Sequence, residues 1–282
     1  MMRTWMAMGL LVFSALAQAQ GAGAVRKQLE ASLLVHGEIT VDERGEIAEY
    51  TLKDPDKLPA GVETFVRRNL DGWTFEPPKV DGKPVSLRNN MSLLLVAKKL
   101  DDDNFLMRIQ ATSFYPQSTE EGYEVASRKM DPPRYPRAAA QGGAQGTVYL
   151  IVKVGRDGNV QDVVAEQVNL RVVTTENMMV KLREMFAQAS ITAARKWQFT
   201  PPTRGDDVDA EFWSVRVPVD FNMGTQRQSY GRWMGYIPGP KEKAAWVDPD
   251  LAETSPEAMA AGQPRQLGKD GLRLLTPLGS GS

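Results

Sequence analysis

Residues that could carry out acid–base, nucleophilic or metal chemistry are few in this sequence. Cysteine is absent, which excludes thiol nucleophiles, disulfides and Cys-based metal sites. The only histidine, His36, lies among strand-type residues, and no serine or carboxylate motif accompanies it as a catalytic base would require. The acidic run Asp101–Asp103 offers oxygen ligands for Ca²⁺ but lacks the spacing and the distal glutamate of a calcium loop. We therefore predict a protein that is not an enzyme and that uses no cofactor and no metal.

The charge balance restricts the choice of partner. Lys and Arg together number 34 against 35 for Asp and Glu, so the chain has almost no net charge. Binding to nucleic acid and attraction to an anionic membrane surface both rely on an excess of positive charge. We therefore expect no nucleic-acid partner.

The pattern Trp-x-Phe-x-Pro-Pro occurs twice, at 73–78 and at 197–202. Aromatic side chains at this spacing could anchor a partner on a surface. They could also fill a core, where one aromatic side chain buries about 150–250 Å², and the prolines would then end a short strand. Both copies keep the pattern although their charged surroundings differ, which favours the core role. The residues predicted to be structural are Trp73, Phe75, Trp197, Phe199 and Pro201.

The same succession of elements surrounds both copies of the motif. Strand-type residues flank a charged turn that ends in glycine, at Asp42–Gly45 in the first copy and Gly155–Gly158 in the second. A segment with helical spacing of apolar residues follows, then the motif, a polar loop and a long strand. The repeat therefore predicts two units, a first unit at residues 33–99 and a second unit at residues 133–223.

The N-terminal segment, residues 1–19, has the pattern of a targeting sequence. Arg3 precedes an apolar run, and Ala17-Gln18-Ala19 supplies a small-x-small cleavage site. This pattern predicts a secretory signal peptide that is cleaved after Ala19. The alternative is an uncleaved membrane anchor, although a spanning helix needs about 20 apolar residues and this run is shorter.

Two other segments lie outside the units. Residues 100–132 are predicted to be a linker that adds a strand at Phe105–Ala111. Residues 224–282, called the tail below, are rich in Gly and Pro with weak periodicity and are predicted to be mostly disordered. Two hypotheses fit the aromatic stretch Arg232–Ile237 within the tail. It either folds back on the second unit to cover a strand edge, which would block strand addition, or binds a partner.

One set of residues in the second unit carries a family resemblance. In order they are Tyr135, Pro136, Ala138, Gly142, Gly146, the strand Val148–Val154, Asp157, Gly158, Val160, Ala193, Trp197, Phe199, Pro201, Val217, Pro218 and Phe221. With these residues the second unit resembles the TonB C-terminal domain family, and the first unit is similar to a degenerate copy of it. The resemblance implies an α+β fold in which each unit packs one helix on a three-stranded antiparallel sheet.

The resemblance also implies a function in TonB-dependent transport. The family's domain grips a short peptide of an outer-membrane transporter by strand addition to a sheet edge, where main-chain hydrogen bonds give affinity. Here that edge would be the final strand, at about Ala210–Asn222. The partner is then a protein or an extended peptide, with a transporter segment as the first candidate. The residues assigned to partner contact are Ala210, Phe212, Ser214, Arg216, Asp220, Tyr135 and Pro136.

Three hypotheses remain open at this point. The first is a binding module that is exported to the periplasm and acts by pairing at a sheet edge. The second is a TonB-like energy transducer that keeps residues 5–17 as an inner-membrane anchor, and the mature N-terminus separates it from the first. The third is an envelope scaffold whose edges pair with each other in a homodimer, which sedimentation would reveal.

Overall fold

The computed structural model describes residues 25, 28–80, 82–99, 105–117, 121–223, 230–248, 255–259, 264–269 and 271–278. The predicted signal peptide and the acidic run Asp101–Asp103 lie outside these residues. The described parts combine helices with antiparallel sheets, which confirms the α+β class.

The first sheet is built on two long central strands. In chain order the elements are β1 (Glu30–Val41), β2 (Ile47–Leu52), α1 (Val62–Leu70), the short ladder of β3 (Lys79–Val80) with β4 (Lys83–Pro84), β5 (Leu87–Lys99) and β6 (Phe105–Pro116). Strand β1 pairs with β2 on one edge and with β5 on the other, and β5 pairs with β6. Helix α1 buries Val62, Val66 and Leu70 against this sheet. The order β2–β1–β5 therefore places three antiparallel strands side by side on the helix-covered sheet.

The second sheet repeats that order. Its elements are β7 (Ala126–Lys129), α2 (Arg137–Gln141), β8 (Gly146–Gly155), β9 (Val160–Leu170), α3 (Glu176–Ala194), β10 (Gln198–Thr200) and β11 (Phe212–Phe221). Strand β8 is central, between β9 and β11. Helix α3 packs Met179, Leu182 and Phe186 against the side chains of β8 and β11. The order β9–β8–β11 therefore corresponds to β2–β1–β5.

Both Trp-x-Phe segments are held by the same contact with a hairpin turn. The amide of Phe75 donates to the carbonyl of Gly45, and that of Phe199 donates to the carbonyl of Gly158, each at 2.8 Å. Both glycines have positive φ, 85° and 77°. A Cβ on either would lie 2.1 Å from the phenylalanine carbonyl oxygen, so only glycine allows this approach.

The motif side chains are buried in the two cores. Trp73 is 7% exposed and Trp197 3%, and both phenylalanines are buried beside them. The indole of Trp197 also donates to the carbonyl of Asp131 at 2.8 Å. These positions agree with a structural role for the motif.

The linker and the tail contain more regular structure than the sequence predicted. Strand β6 extends to Pro116 and pairs with β5 along its whole length, and β7 pairs with β10. In the tail, β12 (Met234–Tyr236) pairs with β1 and β13 (Arg265–Gln266) pairs with β11. The first sheet therefore has five strands and the second has four, rather than three each.

The described tail segments are folded against both sheets, which corrects the prediction of a mostly disordered tail for these residues. Tyr236 and Ala258 cover Leu94 and Val96 on the face of the first sheet that points away from its helix. Residues Ala244 and Leu267 likewise cover Ile151 on the second sheet. The tail lacks periodicity because its apolar residues are separated by Gly and Pro. It is ordered nevertheless, because sheet edges offer unpaired backbone groups and sheet faces offer apolar surface.

Candidate functional site

The candidate site is the outer edge of β11, the last strand of the second sheet. Strand β11 pairs with β8 from Phe212↔Gly155 to Phe221↔Gly146. The carbonyl of Ser214 accepts a hydrogen bond from the amide of Leu267 at 2.8 Å, so the backbone of Ser214 faces away from β8. Backbone groups of alternate residues face the same edge of a strand. The outward-facing residues are therefore Phe212, Ser214, Arg216, Pro218 and Asp220.

Four of the predicted contact residues are among these outward-facing positions: Phe212, Ser214, Arg216 and Asp220. They differ in the hydrogen-bonding groups that remain for an added strand. The carboxylate of Asp220 accepts hydrogen bonds from Thr147 at 3.0 Å and from Arg171 at 2.7 Å. Pro218 has no N–H, so an added strand receives no main-chain donor at that position. The pairing capacity of the edge therefore lies mainly between Phe212 and Arg216.

The side chain of Arg216 is not available at the surface, being buried with 1% exposure. Its guanidinium makes two hydrogen bonds of 2.7 Å to the carboxylate of Glu166 on β9. Removing one member of such a buried pair leaves the other charge uncompensated and is strongly destabilising. The side chain of Arg216 thus holds β9 and β11 together, and only the backbone of this predicted contact residue faces the edge.

The other predicted contact residues lie off the edge. Ala210 lies in the loop before β11, where its amide donates to the carbonyl of Asp207 at 3.1 Å. The ring of Tyr135 packs edge-on against Phe186 at 5.8 Å and against Phe221 at 5.4 Å, between ring centroids. Partial burial raises the pKa of Tyr135. Pro136 precedes α2 and borders an open groove beside α3.

Residues close to the β11 edge that the sequence did not indicate come from distant parts of the chain. They include Val125 before β7, Asp207 in the loop before β11, and Ser113 and Tyr115 on β6, all of which contact the tail at β13. No periodicity or motif marks these residues. Only the folding of the tail onto the edge brings them together.

His36 has the surroundings of a structural residue. Its ring stacks on Tyr230 with centroids 5.6 Å apart. Burial lowers the pKa of His36, and the positive charge of Lys53 lowers it further. Among the described residues, no group of three or more His, Asp or Glu side chains could hold a metal ion.

The tail covers parts of three sheet edges. Strand β12 pairs with β1, Ile237 and Lys241 form bridges to Leu170 and Gln167 on β9, and β13 pairs with β11. The segment Arg232–Ile237 therefore folds back on the protein. One of the two hypotheses expected this, but placed the segment on the second unit. It pairs mainly with the first sheet, and the β11 edge is covered by Arg265–Leu267 instead.

Together these features define a class of protein: a small α+β domain that packs one helix on an antiparallel sheet whose last strand lies near its edge. Residues 131–168 match the family described as the Gram-negative bacterial TonB protein C-terminal. The beginning of the second unit therefore matches the TonB C-terminal family, as the sequence resemblance indicated.

Curated relatives of this chain include TonB proteins from two bacterial genera. The chain is 38% identical over 98 residues to Protein TonB of two strains of Xanthomonas campestris pv. campestris, which is 35% of this chain and 38% of the relative. It is 32% identical over 91 residues to Protein tonB2 of Pseudomonas aeruginosa, which is 32% of this chain and 28% of that protein. The match thus spans well under half the length of these relatives.

A structural comparison gave one related domain. The solution NMR structure of the Pseudomonas aeruginosa TonB C-terminal domain matches 38% of this chain and 95% of its own, with 23% identity. The TM-score of this match is 0.27. Among the residues that the structure describes, no helix has the length and apolarity needed to cross a membrane.

Proposed function

We propose that this protein is a non-enzymatic binding module of TonB-dependent outer-membrane transport, and that it takes an extended peptide of a partner protein onto the β11 edge. The observation that carries the proposal is the hydrogen bond that the carbonyl of Ser214 already accepts from an antiparallel segment. An edge that pairs with one extended segment has the geometry to pair with another. The family match of the second unit supports a partner among outer-membrane transporters.

We further propose that the chain contains tandem copies of one domain, at residues 33–99 and 133–223. The contacts Gly45–Phe75 and Gly158–Phe199 support this, because they have the same length, the same hairpin position and the same steric demand for glycine. The signal segment, residues 1–19, would place the mature protein in the periplasm. No observation on the described residues favours the anchored transducer or the homodimeric scaffold.

The test is a titration of the isotope-labelled full chain with synthetic peptides that cover the periplasmic segments of TonB-dependent transporters, with scrambled peptides as the control. Amide resonances of Phe212, Ser214 and Arg216 should shift most, because their backbone faces the edge. Shifts confined to α3 and the groove beside Pro136 would contradict the edge assignment.

A matched pair of variants tests the same edge without resonance assignment. Ser214→Pro removes the outward N–H, whereas Ser214→Ala keeps it and removes only the hydroxyl. Peptide affinity should fall about tenfold or more for the proline variant, since a lost hydrogen bond and a disturbed ladder are together worth upwards of about 1.4 kcal/mol. The alanine variant should bind as the wild type does, and equal losses in both would contradict pairing.

A further inference from the structure

The short strand β13 occupies the β11 edge in the way a bound peptide would. It runs antiparallel to β11, with Gln266 opposite Val215 and Arg265 opposite Arg216. The next residue, Leu267, donates its amide to the carbonyl of Ser214 at 2.8 Å. Its side chain packs with Ile151 and Ala244 on the face of the sheet. The contacts are those of strand addition, made here by the chain's own tail.

The side chain of Gln266 fits a slot that recognises a primary amide. Gln266 is 3% exposed. Its Oε1 accepts from the backbone N–H of Val125 at 2.9 Å, and its Nε2 donates to a carboxylate oxygen of Asp207 at 3.2 Å. The slot thus offers one donor and one acceptor, which an amide satisfies together. A carboxylate would meet Asp207 with like charge, and an aliphatic side chain would leave the N–H of Val125 without its acceptor and Asp207 without one of its donors.

Two positive charges flank this amide. The guanidinium of Arg265 lies over the ring of Tyr115, 4.0 Å from its centroid, and donates to the hydroxyl of Ser113. The ammonium of Lys269 forms an ion pair with Asp207 at 2.7 Å. Tyr115 and Ser113 belong to β6 of the first sheet. The site is therefore built from both sheets, which gives the first one a part in recognition.

We propose that this site selects extended peptides with the pattern basic–Gln–aliphatic–x–basic, and that the tail segment Arg265–Lys269 occupies it as an internal ligand that a partner must displace. The proposal rests on the proposed function, because it takes the β11 edge as the binding edge. A tethered segment competes at an effective concentration that can reach the millimolar range. A free peptide of equal intrinsic affinity therefore binds weakly until the tail leaves.

The experiment uses a fluorescent synthetic peptide with the sequence of residues 264–269, Pro-Arg-Gln-Leu-Gly-Lys, and full-length chains. Leu267→Pro removes the amide that pairs with Ser214, whereas Leu267→Ala keeps it and serves as the matched control. Fluorescence anisotropy should show at least tenfold tighter peptide binding to the proline variant than to the wild type. The alanine variant should lie closer to the wild type.

A second pair of measurements tests the amide slot. It also provides a variant that does not depend on the folding of the proline variant. Gln266→Glu in the chain keeps every backbone N–H but places a carboxylate beside Asp207, so it too should bind the peptide about tenfold more tightly. A peptide with leucine in place of the glutamine should bind at least tenfold more weakly. The proposal is wrong if the Gln266→Glu chain binds no more peptide than the wild type, or if the two peptides bind equally.

Failure of this inference can be told apart from failure of the proposed function by adding the transporter peptides as competitors. If transporter peptides bind the wild type and the Gln266→Glu chain equally well at β11, the tail is no internal ligand, although the edge still binds partners. If the tail peptide binds the variant and no transporter peptide displaces it, the result supports the tail as an internal ligand. The same result contradicts the proposed function in transport.

Discussion

The two sheets share a core but differ at their last strands. In the first sheet the outer edge of β5 is paired with β6 from Asn89↔Pro116 to Lys99↔Phe105. In the second sheet the outer edge of β11 pairs with only two residues of β13. A twelve-residue strand that follows directly in the chain makes a permanent neighbour, whereas a two-residue strand makes a small and replaceable one. The two sheets therefore share the arrangement of their cores and differ in how much of the outer edge is already paired.

A second difference lies on the faces that point away from the helices. The first sheet places Leu94 and Val96 there, whereas the second places the ion pair of Arg216 and Glu166. Both faces are covered by tail residues. The second face thus combines a buried ion pair with the apolar patch of Ile151 that Leu267 covers.

The largest expected effect tests whether the two cores are equivalent. Trp73→Ala and Trp197→Ala should each lower the free energy of unfolding by about 3–5 kcal/mol, because each removes a buried aromatic side chain. Urea denaturation would measure the loss. Tyr123, which is 40% exposed, provides the control, and Tyr123→Ala should change stability by less than about 0.5 kcal/mol. A small effect at Trp73 alone would show that the first core does not depend on the motif.

The next effect concerns the buried ion pair. Arg216→Met should destabilise the protein by about 3 kcal/mol, because Glu166 is left charged and buried. The double variant Glu166→Leu with Arg216→Met makes this face resemble that of the first sheet and should recover most of the loss, as seen in thermal unfolding. If the double variant is as unstable as the single one, the ion pair contributes more to stability than the neutralisation of two buried charges.

A smaller effect tests the glycine contact that the two hairpins share. Gly45→Ala and Gly158→Ala should cost more than about 1–2 kcal/mol each, since the left-handed backbone penalty adds to a Cβ placed 2.1 Å from a carbonyl oxygen. Gly143→Ala separates the two causes, because Gly143 also has positive φ but no atom lies within 4 Å of its added Cβ. Chemical denaturation should rank Gly143→Ala as the mildest of the three. Equal losses of stability in Gly45→Ala and Gly143→Ala would contradict a stabilising role for the close contact between Gly45 and the carbonyl of Phe75.

The smallest expected effect concerns how the tail joins the two sheets. Burial raises the pKa of Glu257, and a hydrogen bond from Asn169 and the charge of Lys241 oppose that shift. Glu30 and the hydrogen-bonding Tyr236 also face this carboxyl group. A raised pKa in the folded state means that the contribution to stability is full below the ordinary glutamate pKa and is lost as pH rises through the folded value.

Docking of residues 255–259 should therefore weaken as pH rises through that window. Hydrogen exchange of Ala258 and Met259, whose amides donate within this segment, would report it. Glu257→Gln should flatten the pH dependence, because its side chain does not titrate. A pH dependence that persists in this variant would assign the effect to another group.

The sequence predicted the elements that have strong periodicity or turn chemistry. The alternation Val148–Val154 predicted a strand that the structure contains in β8, and the glycine-ended turns predicted both hairpins. The different lengths of α1 and α3, nine and nineteen residues, agree with the wider spacing between turn and motif in the second copy. The sequence also predicted four residues that face the outer edge of β11, because alternate residues of one strand face the same edge. They are Phe212, Ser214, Arg216 and Asp220.

The sequence did not predict what covers the sheets. Strand β13 has two residues and β12 has three, too few for any period to be detected. No sequence pattern indicated that the side chain of Arg216 pairs with Glu166, because Glu166 lies 50 positions earlier in the chain.

The sequence by itself determined the repeated core, because backbone periodicity, turn glycines and buried aromatics act over short distances along the chain. Only the tertiary structure decided which edges remain open and what occupies them. The slot around Gln266 joins Val125, Asp207 and Ser214 from three separate segments. Its hydrogen bonds depend on how the tail packs over two sheets, and no local preference of the chain encodes that arrangement.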